Sequence, residues 1–170
     1  MSDPSSIPPA ARALDSIERD GLLDDMADIV TSSHLFGSLD DTGRARVLRS
    51  GYVCSFAPGE VIVREGEPGD TMYIVMRGTV RIETANPTGL ESGSALHLAE
   101  LGRGACFGEV SLLSGAPRTA TVTAVADVDC VAFAKHRIER VLDDYPTVRE
   151  QLEALVEGRA RDTIDKLIGS

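Results

Sequence analysis

Short apolar runs separated by turns fill the middle of the chain, and patterns with helical spacing lie at both ends. The runs alternate polar with apolar residues or are rich in β-branched residues, and glycine and proline mark the turns between them. This spacing predicts eight strands, at 52–56, 61–64, 71–76, 79–84, 95–101, 105–107, 119–125 and 128–133. Short strands separated by turns in this way are typical of a jelly-roll-like sandwich or barrel.

Apolar residues at helical spacing flank the strands on both sides. N-terminal helices are predicted within residues 10–50, after a Ser- and Pro-rich segment, residues 1–9, that we expect to be a flexible tail. Residues 135–170 predict two more helices, because Pro146 interrupts the first and can begin the second. The predicted fold class is therefore α+β and mainly β, with an eight-stranded, jelly-roll-like β-roll at 51–134 flanked by helices.

The 170-residue chain is acidic, with a formal net charge of −10, and 42% of its residues are hydrophobic. A chain of this length and composition can bury the core of one domain. An acidic surface repels the phosphates of DNA and RNA, so we expect no direct nucleic-acid binding. An anionic ligand would have to be held by a local arrangement of charges instead.

Cysteine and histidine spacing favours neither a metal site nor a catalytic pair. Cys54, Cys106 and Cys130 lie in apolar runs without a CxxC pair, so we expect buried structural thiols. We predict no metal, no cofactor and no enzymatic activity, since no ligand cluster or nucleophile–base pair stands out. The chain also has no signal-peptide pattern and no apolar run of about 20 residues, so we expect a cytoplasmic protein without a membrane span.

The segment 107–120 carries the candidate chemistry. Gly108 permits close backbone approach after a predicted strand, and a helical turn at 109–113 offers free N–H groups at its start. The chain then turns and brings Arg118 back nine positions after Glu109. An arginine fork suits a phosphate, whereas a carboxylate beside an anion site suits a sugar hydroxyl such as the ribose 2′-OH. The pattern therefore favours a nucleotide with one diester phosphate.

Residues 107–120, FGEVSLLSGAPRTA, resemble the phosphate-binding cassette of cyclic-nucleotide-binding domains. These domains occur in catabolite-activator-type regulators, kinase regulatory subunits and cyclic-nucleotide-gated channels. The resemblance covers about residues 35–155. Other motifs follow in the family's usual order: PGE at 58–60, EGEPGD at 65–70, MYIV at 72–75 and LGRG at 101–104.

The resemblance implies a role for individual residues of the cassette. The Glu109 carboxylate would bind the ribose 2′-OH, and Arg118 would bind the cyclic phosphate. The backbone at Gly108 and Glu109, the Thr119 hydroxyl and the Ala120 amide would complete the phosphate site. The implied ligand-binding residues are Phe107, Gly108, Glu109, Val110, Arg118, Thr119 and Ala120. The candidates for the base pocket are Val61, Ile74, Leu96 and Leu98.

The leading hypothesis is a sensor that binds cAMP or cGMP, with cAMP favoured, and signals when the hinge and lid helices at 135–170 repack. The apolar face of the final helix suits either a lid over the base or a homodimer contact. A catabolite-activator-type transcription regulator needs a helix-turn-helix after that helix, so this hypothesis requires the chain to be a fragment. A phosphodiesterase or cupin-like metalloenzyme is disfavoured, and a scaffold that binds no nucleotide is the remaining alternative.

Overall fold

Eight strands and five helices make up the part of the chain that the structure, a computed structural model, describes. Residues 24–31, 35–85 and 95–169 are described, with side chains for all of these except 95, 96 and 159–169. The helices are α1 (24–31), α2 (Asp41–Ser50), α3 (Glu109–Ser114), α4 (Lys135–Asp144) and α5 (Pro146–Gly169). The strands are β1 (Gly51–Phe56), β2 (Val61–Val63), β3 (Thr71–Arg77), β4 (Val80–Ala85), β5 (Ala95–Leu101), β6 (Cys106–Phe107), β7 (Thr121–Ala124) and β8 (Val128–Ala134). The flexible tail predicted at 1–9 lies outside the described residues.

The strands form two four-stranded antiparallel sheets. The first has the order β1-β8-β3-β6 and the second the order β2-β7-β4-β5. In both sheets a strand from late in the sequence pairs with strands from much earlier: β8 lies between β1 and β3, and β7 lies between β2 and β4. The predicted fold class, an eight-stranded β-roll with flanking helices, is confirmed.

Strand β3 is buried on both faces, because it lies between two separate apolar cores. Tyr73 and Val75 face the core between the two sheets, where the Tyr73 ring stacks on Phe107 with ring centres 5.0 Å apart. Met72 and Ile74 point the other way, into a core formed with the helices. Successive side chains of a strand alternate between its faces, so a strand covered on both faces has a continuous apolar sequence.

The second core joins all five helices to the first sheet. Each helix contributes apolar side chains that are almost completely buried, among them Met26 from α1, Val47 from α2, Leu112 from α3, Ile138 from α4 and Leu152 from α5. Helix α2 begins at an aspartate cap: the Asp40 side chain accepts a hydrogen bond from the Gly43 N–H at 2.7 Å.

The break between α4 and α5 lies at Tyr145, whose backbone is not helical, with φ −125° and ψ 77°. Pro146 then begins α5, where its missing N–H costs no helical hydrogen bond. The Tyr145 hydroxyl lies 3.3 Å from the carboxylate of Asp40, the residue that caps α2. The break between α4 and α5 therefore contacts the N-terminus of α2.

All three cysteines are buried free thiols, as predicted. Cys54 on β1 and Cys130 on β8 are register partners in the core between the sheets. Burial raises the pKa of Cys54 to about 12. Because the thiolate is the reactive form of cysteine, these side chains serve as small apolar core residues.

Truncating Leu152 tests how far the docking of α5 stabilises the domain. Leu152 is completely buried, so Leu152→Ala should lower the free energy of unfolding by about 2–5 kcal/mol. Glu153→Ala, at the next and exposed position of the same helix, should change it by less than about 0.5 kcal/mol. Urea denaturation followed by circular dichroism measures both, and equal effects would contradict a docked α5.

Candidate functional site

Arg118 is buried in the stretch of chain between α3 and β7, with only 8% of its surface exposed. Its Nη1 donates hydrogen bonds to the carbonyl oxygens of Thr71 and Gly108, at 2.9 and 3.4 Å. Its backbone pairs with the turn before β3: the Arg118 N–H donates to the Glu67 oxygen at 2.9 Å, and the Arg118 oxygen accepts from the Gly66 N–H at 2.8 Å. The residue is therefore held both at its backbone and at its guanidinium.

Hydrogen bonds of Glu65 connect the turn before β3 to the second sheet. The Glu65 N–H donates to the Thr121 hydroxyl at 3.0 Å. Its carboxylate accepts hydrogen bonds from the Thr84 hydroxyl and from the Ala85 N–H, the latter at 2.9 Å. Because the same turn pairs with the Arg118 backbone, the position of the guanidinium depends on both sheets.

Two glycines leave the space that the guanidinium occupies. A Cβ atom on Gly69 would lie 2.6 Å from Arg118 Nε and 2.7 Å from its Nη2, far inside contact distance. A Cβ atom on Gly108 would lie 2.6 Å from the Thr71 oxygen that accepts the Arg118 hydrogen bond, and the φ of Gly108 is +83°. Side chains at either position would therefore displace the guanidinium or its acceptor.

Arg118 and Glu109 line the same cavity, which has a volume of about 360 Å³. Glu109 is the first residue of α3, and only 2% of its surface is exposed. Apolar side chains from the second sheet and from α5 form much of the remaining wall: Val63, Ile82, Leu98, Val122 and Val156. A pocket of this size, mostly apolar and with a few polar groups, is typical of a small-molecule site.

The electrostatics of the cavity favour an anionic ligand. Burial lowers the pKa of the Arg118 guanidinium, while the nearby Tyr73, Asp70 and Glu109 side chains raise it in part. Desolvation therefore makes the charged form of Arg118 less favourable than it would be in water. An anion placed beside the guanidinium would offset that cost, because opposite charges attract most strongly where water is excluded.

Comparison with known protein families identifies the family to which the chain belongs. The family model described as cyclic nucleotide-binding domain matches residues 53–145, more than half of the chain. The chain belongs to this family. The resemblance stated for its sequence is thereby confirmed. The matched region includes the second sheet, the first sheet except the first two residues of β1, the cassette at 107–120 and α4.

The domain has relatives among bacterial regulators, channels and kinase subunits. It is 29% identical to a CRP-like cAMP-activated global transcriptional regulator of Mycobacterium tuberculosis, over 84% of this chain and 62% of the regulator. A cyclic nucleotide-gated potassium channel of Mesorhizobium japonicum is 34% identical, over 72% of this chain and 31% of the channel. The regulatory domain of Toxoplasma gondii PKA, crystallised with cAMP, is similar in structure, with a TM-score of 0.67 and 28% identity over 82% of this chain and 50% of that one. The chain spans less than two thirds of the length of each.

The structure brings the predicted residues of the cassette together around the cavity. All seven, at 107–110 and 118–120, line it. Of the candidates for the base pocket, Leu98 lines it as well, and the side chain of Leu96 lies outside the described residues. Val61 is partly buried in β2 but is not among the residues that line this cavity.

Ile74 lies away from the cavity, contrary to the expectation for the base pocket. It is completely buried in the core between the first sheet and the helices. Its neighbour Tyr73 faces the other core, which adjoins the cavity through Phe107. A continuous apolar run does not reveal which of its residues points to which face, and this is why the sequence misplaced Ile74.

Sequence reasoning missed several residues of the wall. Val63, Ile82 and Val122 alternate with more exposed residues on their strands, so strand alternation could have identified them. Ser111 and Val156 had no comparable signal, because each lies on a helix whose orientation relative to the sheets is a matter of tertiary packing. Val156 shows that α5 reaches the cavity.

Within the described ranges of the chain, no helix combines the length and the apolar character needed to cross a membrane. In the same ranges, no three His, Cys, Asp or Glu side chains cluster closely enough to hold a metal ion.

Gly69→Ala should weaken cyclic-nucleotide binding about tenfold or more while leaving the domain folded. The added methyl group would push the flexible end of Arg118 out of its place, which costs little stability but moves the charge. Gly102→Ala is the matched control, because the nearest atom to a Cβ there is 4.0 Å away. Titration calorimetry and thermal unfolding measure the two effects. Equal affinities for the two variants would contradict a positioning role for Gly69.

Proposed function

We propose that this domain is a sensor that binds a cyclic mononucleotide, with cAMP as its ligand, and signals through repacking of the C-terminal helices. The observation that carries the proposal is a buried guanidinium and a buried carboxylate, Arg118 and Glu109, in one largely apolar cavity. A cyclic nucleotide has a matching combination of parts: one anionic diester, one sugar hydroxyl and one flat base.

Arg118 is the phosphate-binding residue in this proposal. The two hydrogen bonds of its guanidinium to backbone carbonyls both come from Nη1. A guanidinium has five N–H donors, so donors remain for the exocyclic oxygens of a phosphate. Because these hydrogen bonds to backbone carbonyls hold the guanidinium in place before the ligand binds, little side-chain entropy is lost on binding.

Glu109 is the ribose-binding residue, and the apolar wall holds the base. A carboxylate accepts hydrogen bonds but cannot donate them when ionised, which suits the 2′-OH of the sugar. Leu98, Val63 and Val156 offer apolar surface for the faces of a purine. Thr119 is exposed and lines the cavity beside Arg118, so its hydroxyl can contact the phosphate or an adjacent group of the ligand.

The choice of cAMP over cGMP draws on the relatives. The mycobacterial regulator is named as cAMP-activated, and the Toxoplasma regulatory domain was crystallised with cAMP. The described cavity wall contributes no charged group besides Arg118 and Glu109, so shape and hydroxyl groups would have to distinguish the two bases. A direct comparison of the two nucleotides therefore belongs in every binding experiment.

The proposed signal is a change in the packing of α5. This helix lines the ligand cavity with Val156, and its Leu152 is buried in the core between the first sheet and the helices. It starts after the non-helical residue Tyr145. A nucleotide in the cavity would add apolar surface under Val156. An arrangement of α5 that covers this surface would bind ligand more tightly, and binding would then shift the population towards it.

Arg118→Ala should reduce the affinity for cAMP by about 100-fold or more, because it removes a charge-assisted contact to the phosphate. The variant should remain folded, since it also removes a buried charge from the apo domain. Titration calorimetry with cAMP and with cGMP measures the loss. Arg64→Ala, at an exposed arginine outside the cavity, is the control and should bind as the wild type does.

Two results would count against the proposal. If the wild-type domain bound neither nucleotide at millimolar concentration, the sensor function would be wrong and a scaffold without ligand would replace it. If cGMP bound at least as tightly as cAMP, the ligand assignment would be wrong, although the site would stand.

Ligand binding should slow amide hydrogen exchange in α5, Pro146–Gly169. In the proposed ligand-bound arrangement this helix covers the nucleotide and is packed more firmly, so its backbone opens less often. Exchange in the paired strands β1 and β8, which lie outside the cavity, should change much less. Mass spectrometry with and without cAMP measures both regions, and Arg118→Ala with cAMP is the control for nonspecific effects. Unchanged exchange in α5 on saturation with ligand would contradict the repacking but leave the binding intact.

A further inference from the structure

Helices α2 and α4 lie side by side and run in opposite directions. At one end of the pair, the Arg46 guanidinium of α2 forms an ion pair with the Asp144 carboxylate of α4, with Nη1 and Oδ2 2.7 Å apart. At the other end, Gly51, which follows α2, is the register partner of Phe133, which lies just before α4. The C-terminus of α2 is therefore next to the N-terminus of α4.

Three exposed arginines lie along this pair of helices, on the same outward side. Residues three or four positions apart share a face of a helix, so Arg49 lies on the same side of α2 as Arg46. By the same spacing, Arg140 and Arg137 lie on the side of α4 that bears Asp144. Because the ion pair brings these two sides together, Arg49, Arg137 and Arg140 form one surface, which we call the arginine surface.

Tyr52 supports the position of Arg137 within this surface. Tyr52 lies in β1, the strand that directly follows α2. Burial raises the pKa of Tyr52 to about 12, and the Arg137 charge lowers it in part. Such an effect requires proximity, because water and salt screen charges that are far apart. Arg137 therefore lies near the C-terminus of α2, where Arg49 is.

The arginine surface has no acidic partner within the residues that the structure describes, since none of its three guanidiniums takes part in an ion pair there. The acidic residues Glu139 and Asp143 share another side of α4, and Asp143 pairs with Arg149 of α5. The chain as a whole carries a net charge of −10. Three neighbouring positive charges without a partner repel one another, and an acidic ligand would relieve that repulsion.

The chemistry of the arginine surface favours an acidic peptide segment as its ligand. Guanidinium groups bind carboxylates through paired hydrogen bonds, and arginine clusters recognise acidic motifs. A membrane is a poorer match, because charge-driven membrane binding takes about four to eight basic residues and no large apolar side chain is exposed on α2 or α4. A nucleic acid would extend beyond the three arginines and meet the acidic remainder of the domain.

We propose that the arginine surface is a docking site for a partner protein that presents a short acidic segment. Arg49, Arg137 and Arg140 each bind a carboxylate of that segment. Arginines one turn apart on α4 are separated by about 5 Å along its axis, and the axes of packed helices are about 8–10 Å apart. Carboxylates about two to four residues apart in a peptide match these separations. The inference goes beyond the proposed function and does not depend on the nucleotide cavity.

A hexaglutamate peptide is the probe, because it can span the arginine surface without extending far over the acidic remainder of the domain. Added to the ¹⁵N-labelled full chain, it should shift amide resonances mainly in Asp41–Ser50 and Lys135–Asp144, with a dissociation constant below about 1 mM. Raising NaCl from about 20 to about 300 mM should weaken binding about tenfold or more. A hexaglutamine peptide is the neutral control and should not bind.

Two double variants test the assignment of the site. Arg49→Gln/Arg140→Gln and Arg64→Gln/Arg81→Gln each remove two positive charges from exposed positions. The first should weaken hexaglutamate binding about tenfold, because it removes two charge-assisted contacts. The second lies away from α2 and α4 and should change the affinity less than about twofold. Thermal unfolding checks that both variants are folded.

The outcomes separate the acidic partner from other occupants. Equal affinities of the two double variants, no binding by the wild type below about 1 mM, or shifts confined to the cavity around Arg118 would each overturn the inference. Vesicles of phosphatidylserine and phosphatidylcholine and a short duplex DNA are tested in parallel. If either bound more tightly than hexaglutamate and lost binding in Arg49→Gln/Arg140→Gln, the surface would be a membrane or nucleic-acid site and the acidic partner would be wrong.

Discussion

The burial of one positive charge is the constraint on which the rest of the site depends. Arg118 stays in place because carbonyl oxygens at Thr71 and Gly108 accept its hydrogen bonds and because a backbone pairing with the turn at Gly66 fixes its main chain. None of these hydrogen-bond acceptors is a charged side chain, and the nearby Asp70 and Glu109 carboxylates offset the effect of burial on the Arg118 pKa only in part. A ligand phosphate would therefore supply further compensation for the buried charge.

Strand β3 connects this site to the helices. One face of the strand contributes Tyr73 to the core that adjoins the cavity, and the other contributes Met72 and Ile74 to the core under the helices. Thr71, at the start of the same strand, accepts the Arg118 hydrogen bond. A shift of the guanidinium towards a ligand would consequently act on a strand whose opposite face supports the packing of the helices, since close-packed cores transmit displacement.

The sequence was most informative where local pattern decides structure. Alternation and turn residues predicted eight strands, and the resemblance of residues 107–120 to a phosphate-binding cassette implied the residues that meet at the cavity. It failed where tertiary packing decides. The continuous apolar sequence of β3 does not reveal that Ile74 faces the helices. The apolar face of α5 likewise does not reveal that Val156 reaches the cavity. The closeness of Gly69 to the Arg118 guanidinium joins positions that are far apart in the sequence, so no local pattern reveals it.

Helix α5 is 24 residues long and starts at the joint at Tyr145. At 1.5 Å per residue it forms an arm of about 36 Å, with Val156 about 15 Å from the pivot. A rotation of about 10° would move Val156 by about 3 Å and the far end by about 6 Å. The helix would thus work as a mechanical lever that doubles a displacement at the cavity. A fluorescent probe near Gly169 would report ligand occupancy with a larger movement than one placed at the cavity itself.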